Sequence, residues 1–143
     1  MNSNIEQYVS FMKNLEKFIF CMNYEWENII KRYELTLSSY PFFEYIVKNP
    51  GATQQEMACC FKVDKAISSR ACRQLESKKL IERRANNSYS HGYGCYCTEK
   101  GMAVYQEIKK EGEEGFRRIF EDVDVKDLES ISTTISKLYK KIN

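Results

Sequence analysis

The sequence predicts a mainly α-helical fold: a helix-turn-helix with a small β-hairpin wing, flanked by long N- and C-terminal helices. Three observations carry that prediction. Apolar residues in the first 33 positions recur at alternating steps of three and four, the spacing of a helical seam. The middle of the chain breaks into short elements bounded by capping and turn signals. The last third returns to long helical periodicity. The organisation expected is 1–35 as an N-terminal dimerisation helix, 36–98 as the winged region and 99–143 as C-terminal dimerisation helices. With 143 residues these fit one compact domain.

The first helix carries Ile5, Tyr8, Met12, Leu15, Ile19, Met22, Trp26, Ile29 and Tyr33 along one seam. Val9, Phe11, Phe18, Phe20 and Ile30 widen the apolar surface beyond that stripe. A helix apolar on more than one face needs more to pack against than its own small domain. A second copy of the chain is the simplest partner, so a homodimer is expected.

The short elements follow. Ser38 to Lys48 reads as a core helix with Tyr40, Phe42, Phe43, Ile46 and Val47, stopped by Asn49-Pro50-Gly51. Thr53-Gln54-Gln55-Glu56 is a capping box that opens a helix with Met57, Ala58 and Phe61 inward. Asp64 is the expected N-cap of the next helix. Ile67, Ala71, Leu75 and Cys72 are assigned to its core face, and Lys65, Ser68, Ser69, Arg70 and Arg73 to its outer side. Ile81 to Ala85 reads as a strand, Asn86 to Gly94 as a hairpin loop rich in Asn, Ser and Gly, and Gly94 to Cys97 as the return strand.

Thr98 is the expected N-cap of a helix running to about Asp122, weakened by roughly 1 kcal/mol at each of Gly112 and Gly115 relative to Ala, so that a bend is tolerated there. Asp124 caps the last helix, in which Leu128, Ile131, Ile135, Leu138 and Ile142 repeat at three and four.

Charge points the central region at a polyanion. The net charge is +2, but Phe61 to Arg84 holds eight basic and three acidic residues, so that segment is +5 and the remainder −3. A second helix of this kind fits a major groove about 12 Å wide. Lys65, Ser68, Ser69, Arg70 and Arg73 are the candidate groove and backbone residues. Thr53, Gln54 and Gln55 at the preceding helix start, with Lys62 in the turn, suit phosphates. Arg83 and Arg84 extend the basic surface into the hairpin. The expected partner is double-stranded DNA.

Other classes fit poorly. No run of about 18 apolar residues predicts a membrane span, and the N-terminus lacks the pattern of a secretory signal, so a cytoplasmic protein with no membrane partner is expected. Six cysteines then read as reduced thiols, with no CxxC pair. His91, Cys95 and Cys97 supply three metal ligands at most, so neither a structural metal nor a cofactor is expected. A regulator that senses oxidant or metal through its thiols and the His91/Cys95/Cys97 set remains an alternative. With one His, scattered carboxylates and no Gly-rich phosphate loop, no nucleophile–base pair is evident, and the chain is not expected to be an enzyme.

Four segments in register resemble the MarR-type winged-helix transcription regulators: 50–58 (PGATQQEMA), 63–70 (VDKAISSR), 75–83 (LESKKLIER) and 98–101 (TEKG). The resemblance implies a homodimer whose terminal helices interleave, palindromic operator DNA, usually repression, and often a small-molecule effector or oxidant that releases the DNA. Two departures stand out. Lys79 occupies a place where the family usually has Gly. The wing segment 86–94 (NNSYSHGYG) lacks the usual Asp and Arg, leaving His91 about where that Arg falls. A mostly neutral imidazole is the weaker minor-groove partner. The altered wing leaves a scaffold or anti-repressor that does not bind DNA as a second alternative.

Overall fold

The computed structural model describes residues 3–85 and 92–143. Its elements are α1 (Ser3–Ile30), α2 (Tyr40–Lys48), α3 (Gln54–Phe61), α4 (Lys65–Ser77), β1 (Ile81–Ala85), β2 (Tyr93–Cys97), α5 (Glu99–Phe120) and α6 (Val125–Ile142). A 3-10 turn, Lys31–Tyr33, ends the first helix, and Glu34 follows in the left-handed region at φ 59°. The chain forms two compact units, Met1–Lys110 and Glu111–Asn143. This is the mainly α fold with a two-stranded wing that the sequence predicts.

In the first unit the core is aromatic. Phe43, Ile46, Met57, Leu75, Leu80, Ile81 and Ile108 are fully enclosed. Trp26 meets Tyr40 edge-on at 5.1 Å between ring centroids, and Phe43 meets Tyr105 at 6.2 Å. Phe61 packs against Phe42 at 4.9 Å and Tyr45 at 5.8 Å. Such tilted and edge-on pairs add about 0.5–1.5 kcal/mol beyond area burial. They fix α2 as the support on which the two short helices rest.

The wing is antiparallel, with Ile81 opposite Cys97 and Arg83 opposite Cys95. Its inner strand is pinned on the other edge as well. Gly51 N–H donates to the Cys95 carbonyl at 2.9 Å, and Cys95 N–H donates to the Ala52 carbonyl at 2.8 Å. Gly51 makes this approach at φ 87°, a conformation that favours glycine. The remaining expectation for the tip, His91, lies outside the described residues.

Lys79 takes the position where the resemblance implies glycine and adopts the same left-handed backbone, φ 59°. Its N–H donates to the Glu76 carbonyl at 2.9 Å and that of Leu80 to the Leu75 carbonyl at 3.1 Å, which closes the helix end. The helix therefore stops in the glycine-type manner with a lysine. Gly112 and Gly115 do not interrupt α5, which is helical throughout Glu99–Phe120.

Much of α1 remains exposed along its apolar stripe, with Ile5 and Tyr8 about 60% accessible. In the second unit Ile131, Ile135, Leu138 and Ile142 of α6 are exposed too. Among the described residues no helix is long and apolar enough to cross a membrane.

Candidate nucleic-acid interface

The helix-turn-helix is built by local chemistry. The capping box forms as its residues require: Glu56 N–H donates to Thr53 Oγ1 at 3.1 Å, and Thr53 N–H donates to Glu56 Oε2 at 3.0 Å. Lys62 ends α3 in the left-handed region at φ 52°, turning the chain sharply into α4. Asp64 takes the extended N-cap conformation, without a side-chain cap bond.

The outer side of α4 presents Lys65, Arg70 and Arg73 to solvent, with Ser69 half-buried beside them. Gln55 and Lys62 are exposed as well, and Thr53 and Gln54 are half-buried at the start of α3. A cleft of about 280 Å³ is lined by Thr53, Gln54 and Gln55 of the helix start, Lys65 of α4, and Arg83, Gly92 and Tyr93 of the wing. It thus joins five of the sequence-chosen residues in one concave, basic place.

Ser68 is a correction. It was assigned to the groove-facing side, yet it is fully buried and its hydroxyl donates to the Gln54 carbonyl at 2.9 Å. Its role is to tie α4 to α3. Ile67 moves the opposite way: assigned to the core, it is 42% exposed. The polarity of the two side chains is the reverse of their burial. A buried hydroxyl is tolerated here because it has a carbonyl partner.

The wing arginines are both engaged. Arg83 Nη2 lies 2.6 Å from Glu76 Oε2, bridging the wing to α4. That hydrogen-bonded pairing holds the Arg83 pKa above its ordinary value. Arg84 pairs with Glu82 and lies 4.5 Å over the Tyr96 ring. No local pattern pairs Glu76 with Arg83, because the two are separated by the helix end and meet only once β1 folds back along α4.

The start of α5 locks this arrangement. Thr98 Oγ1 accepts from Gly101 N–H at 2.9 Å and donates to the Lys79 carbonyl at 2.6 Å, while Thr98 N–H donates to the Leu80 carbonyl at 3.0 Å. Gly101 is required by close approach: a Cβ there would fall on the Leu80 carbonyl and lie 2.8 Å from Cys97 Sγ. Among the described residues no group of three or more His, Cys, Asp or Glu side chains is placed to hold a metal.

Similarity to known proteins agrees with this geometry. No family model matches the chain. The HTH-type transcriptional regulator BilQ of Clostridioides difficile (strain CD3) is 30% identical over 105 residues, 71% of each protein. This chain is a helix-turn-helix transcriptional regulator with the MarR-family fold. A further relative, the HTH-type transcriptional regulator YybA of Bacillus subtilis (strain 168), is 29% identical over 112 residues, 78% of this chain and 75% of its own. Among solved structures, the MarR family regulator SP03579 superposes with a TM-score of 0.83 at 17% identity, covering 99% of this chain and 96% of the other. A MarR-type regulator from Listeria monocytogenes, solved with a 26mer DNA, gives 0.77 at 20% identity, covering 92% and 87%. At these identities the structural matches speak for the MarR-type fold.

Proposed function

We propose that this MarR-type regulator binds a palindromic operator as a homodimer, sequence-specifically, and represses transcription in the cytoplasm. The observation that carries the reading is the solvent face of α4, where Lys65, Arg70 and Arg73 stand beside Ser69 above the cleft of Thr53, Gln54 and Gln55. Long cationic side chains beside a small hydroxyl suit base edges and phosphates together. The helix start adds partial positive charge toward phosphate. The Listeria relative solved with DNA supports the same use of the fold.

The homodimer reading rests on the exposed apolar stripes of α1 and α6. Contiguous apolar surface of that extent is unusual on a monomer. A two-fold assembly presents two copies of α4, which suits half-sites about one turn of DNA apart, roughly 34 Å. Release by a small-molecule effector follows the family pattern and completes the reading. The pairing of Arg83 with Glu76 and of Arg84 with Glu82 favours the second reading, a scaffold with a weakened wing.

A gel-shift titration against DNA upstream of its own gene, at several salt concentrations, tests the proposal, with sedimentation velocity giving the oligomeric state. Selective binding by a dimer is expected. Absence of sequence-selective binding at every salt concentration overturns it, and a protein partner captured without DNA then supports the scaffold.

A further inference from the structure

Ile67 stands in the first turn of α4, and neither the core nor the helix accounts for it. It is 42% exposed, directly before the fully buried Ser68. Successive helical residues are about 100° apart, so Ile67 points well away from the buried side, and Ala66 stands nearly opposite Ser68. A β-branched side chain on an open helix face is stiff and does little for helix formation. Ala66 is exposed as well. The two make a small apolar step at the start of the helix. Lys65 precedes it, and Arg70 and Gln74, three and seven residues after Ile67, share its flank and face solvent.

The surrounding charge says what covers this step. Residues 65–74 (KAISSRACRQ) carry the cations Lys65, Arg70 and Arg73 and no acid. An apolar protein partner would bury those cations without counter-charge, which is costly. A polyanion pairs them. The major groove of DNA offers phosphates along its rims and one apolar group among its base edges, the 5-methyl of thymine. The first residues of a helix laid in that groove are the ones that reach base edges.

We propose that Ile67 is a specificity-determining residue that packs on the 5-methyl group of a thymine in each half-site, with the small Ala66 letting the helix start approach closely. The inference rests on the DNA-binding role of α4 and adds the base it selects. The contact is apolar, so it separates thymine from cytosine, which lacks the methyl, without a hydrogen bond. Burying one methyl corresponds to about a fourfold change in affinity. Lys65, Arg70 and Arg73 supply the electrostatic attraction, which is the same for every sequence where it falls on phosphates.

The test uses the full chain to select sites from a random duplex library. Each thymine of the enriched site is then replaced in turn by deoxyuridine, which deletes only the 5-methyl group. At one thymine in each half-site the affinity is expected to fall about fourfold. Ile67→Ala should bind the thymine site more weakly and show no further loss with deoxyuridine at that position. Ile67→Val, which keeps a branched apolar surface, should retain the loss. Ile67→Ser stands in if Ile67→Ala does not fold. A site at which no thymine methyl matters, or a deoxyuridine loss that Ile67→Ala leaves intact, overturns the proposal while the DNA-binding role stands. A library that enriches no site overturns the DNA-binding role and the proposal with it.

Discussion

Glu76 Oε2 and Arg83 Nη2 approach to 2.6 Å, and this contact joins α4 to the first wing strand. Both side chains are about one third exposed, so solvent screens the pair and its worth to stability is under about 1 kcal/mol. Its larger effect is on where Arg83 points. The guanidinium that lines the cleft with Thr53, Gln54, Gln55 and Lys65 is also held back by a carboxylate.

Glu76→Gln should therefore change binding more than stability. With the carboxylate neutralised, Arg83 is available to a phosphate, and the slope of log affinity against log salt should steepen by about one. Titrations at four salt concentrations measure it. An unchanged or shallower slope would show that Arg83 makes no phosphate contact when released.

Arg73→Ala and Lys62→Ala should separate base reading from backbone binding. Loss of Arg73 should cost about 1–3 kcal/mol on the operator and much less on random DNA. Loss of Lys62 should weaken both by similar factors. Competition gel shifts with scrambled DNA distinguish them, and equal losses for Arg73→Ala on both DNAs would remove it from sequence reading.

Ser68→Ala should act on the fold. It leaves the Gln54 carbonyl without its hydroxyl donor, at about 1 kcal/mol, and lowers the urea midpoint. Ser69→Ala, on the accessible side, should leave that midpoint in place. If the two variants were reversed in stability, the burial of α4 would be wrong by one position.

Lys79→Gly should stabilise. A left-handed non-glycine residue costs about 1–2 kcal/mol, and the added freedom of glycine in the unfolded chain returns about 0.4–1 of that. A net gain of roughly 0.5–1 kcal/mol in urea denaturation is expected. Gly101→Ala should do the opposite and cost about 1–3 kcal/mol or more, because its methyl meets the Leu80 carbonyl rather than a flexible side chain.

These contrasts mark what the chain's sequence makes legible. Elements defined by short-range chemistry are readable: the Thr53 box, the Asp124 cap, whose carboxylate accepts from Lys126 N–H at 2.9 Å, and the strand at Ile81. The basic patch is readable because charge needs no phase. The burial of residues 67 and 68 is not, since Ser68 falls in the middle of the side that Ala71, Cys72 and Leu75 bury while Ile67 lies about 100° off it, and polarity assigns the two the wrong way round. The Arg83 partner is set by how β1 returns along α4, which no local pattern encodes.

Thr98 has a consequence of its own. One hydroxyl serves as cap for α5 and as tether to the carbonyl that ends α4, and Lys100 Nζ adds a bond to the Lys78 carbonyl at 3.1 Å. The start of α5 is therefore bonded to the tail of α4. A rotation of α5 about its own start would pull on the end of α4 through these bonds, the way a tiller turns a rudder. Thr98→Val would remove that tether together with the α5 cap, at about 0.5–2 kcal/mol.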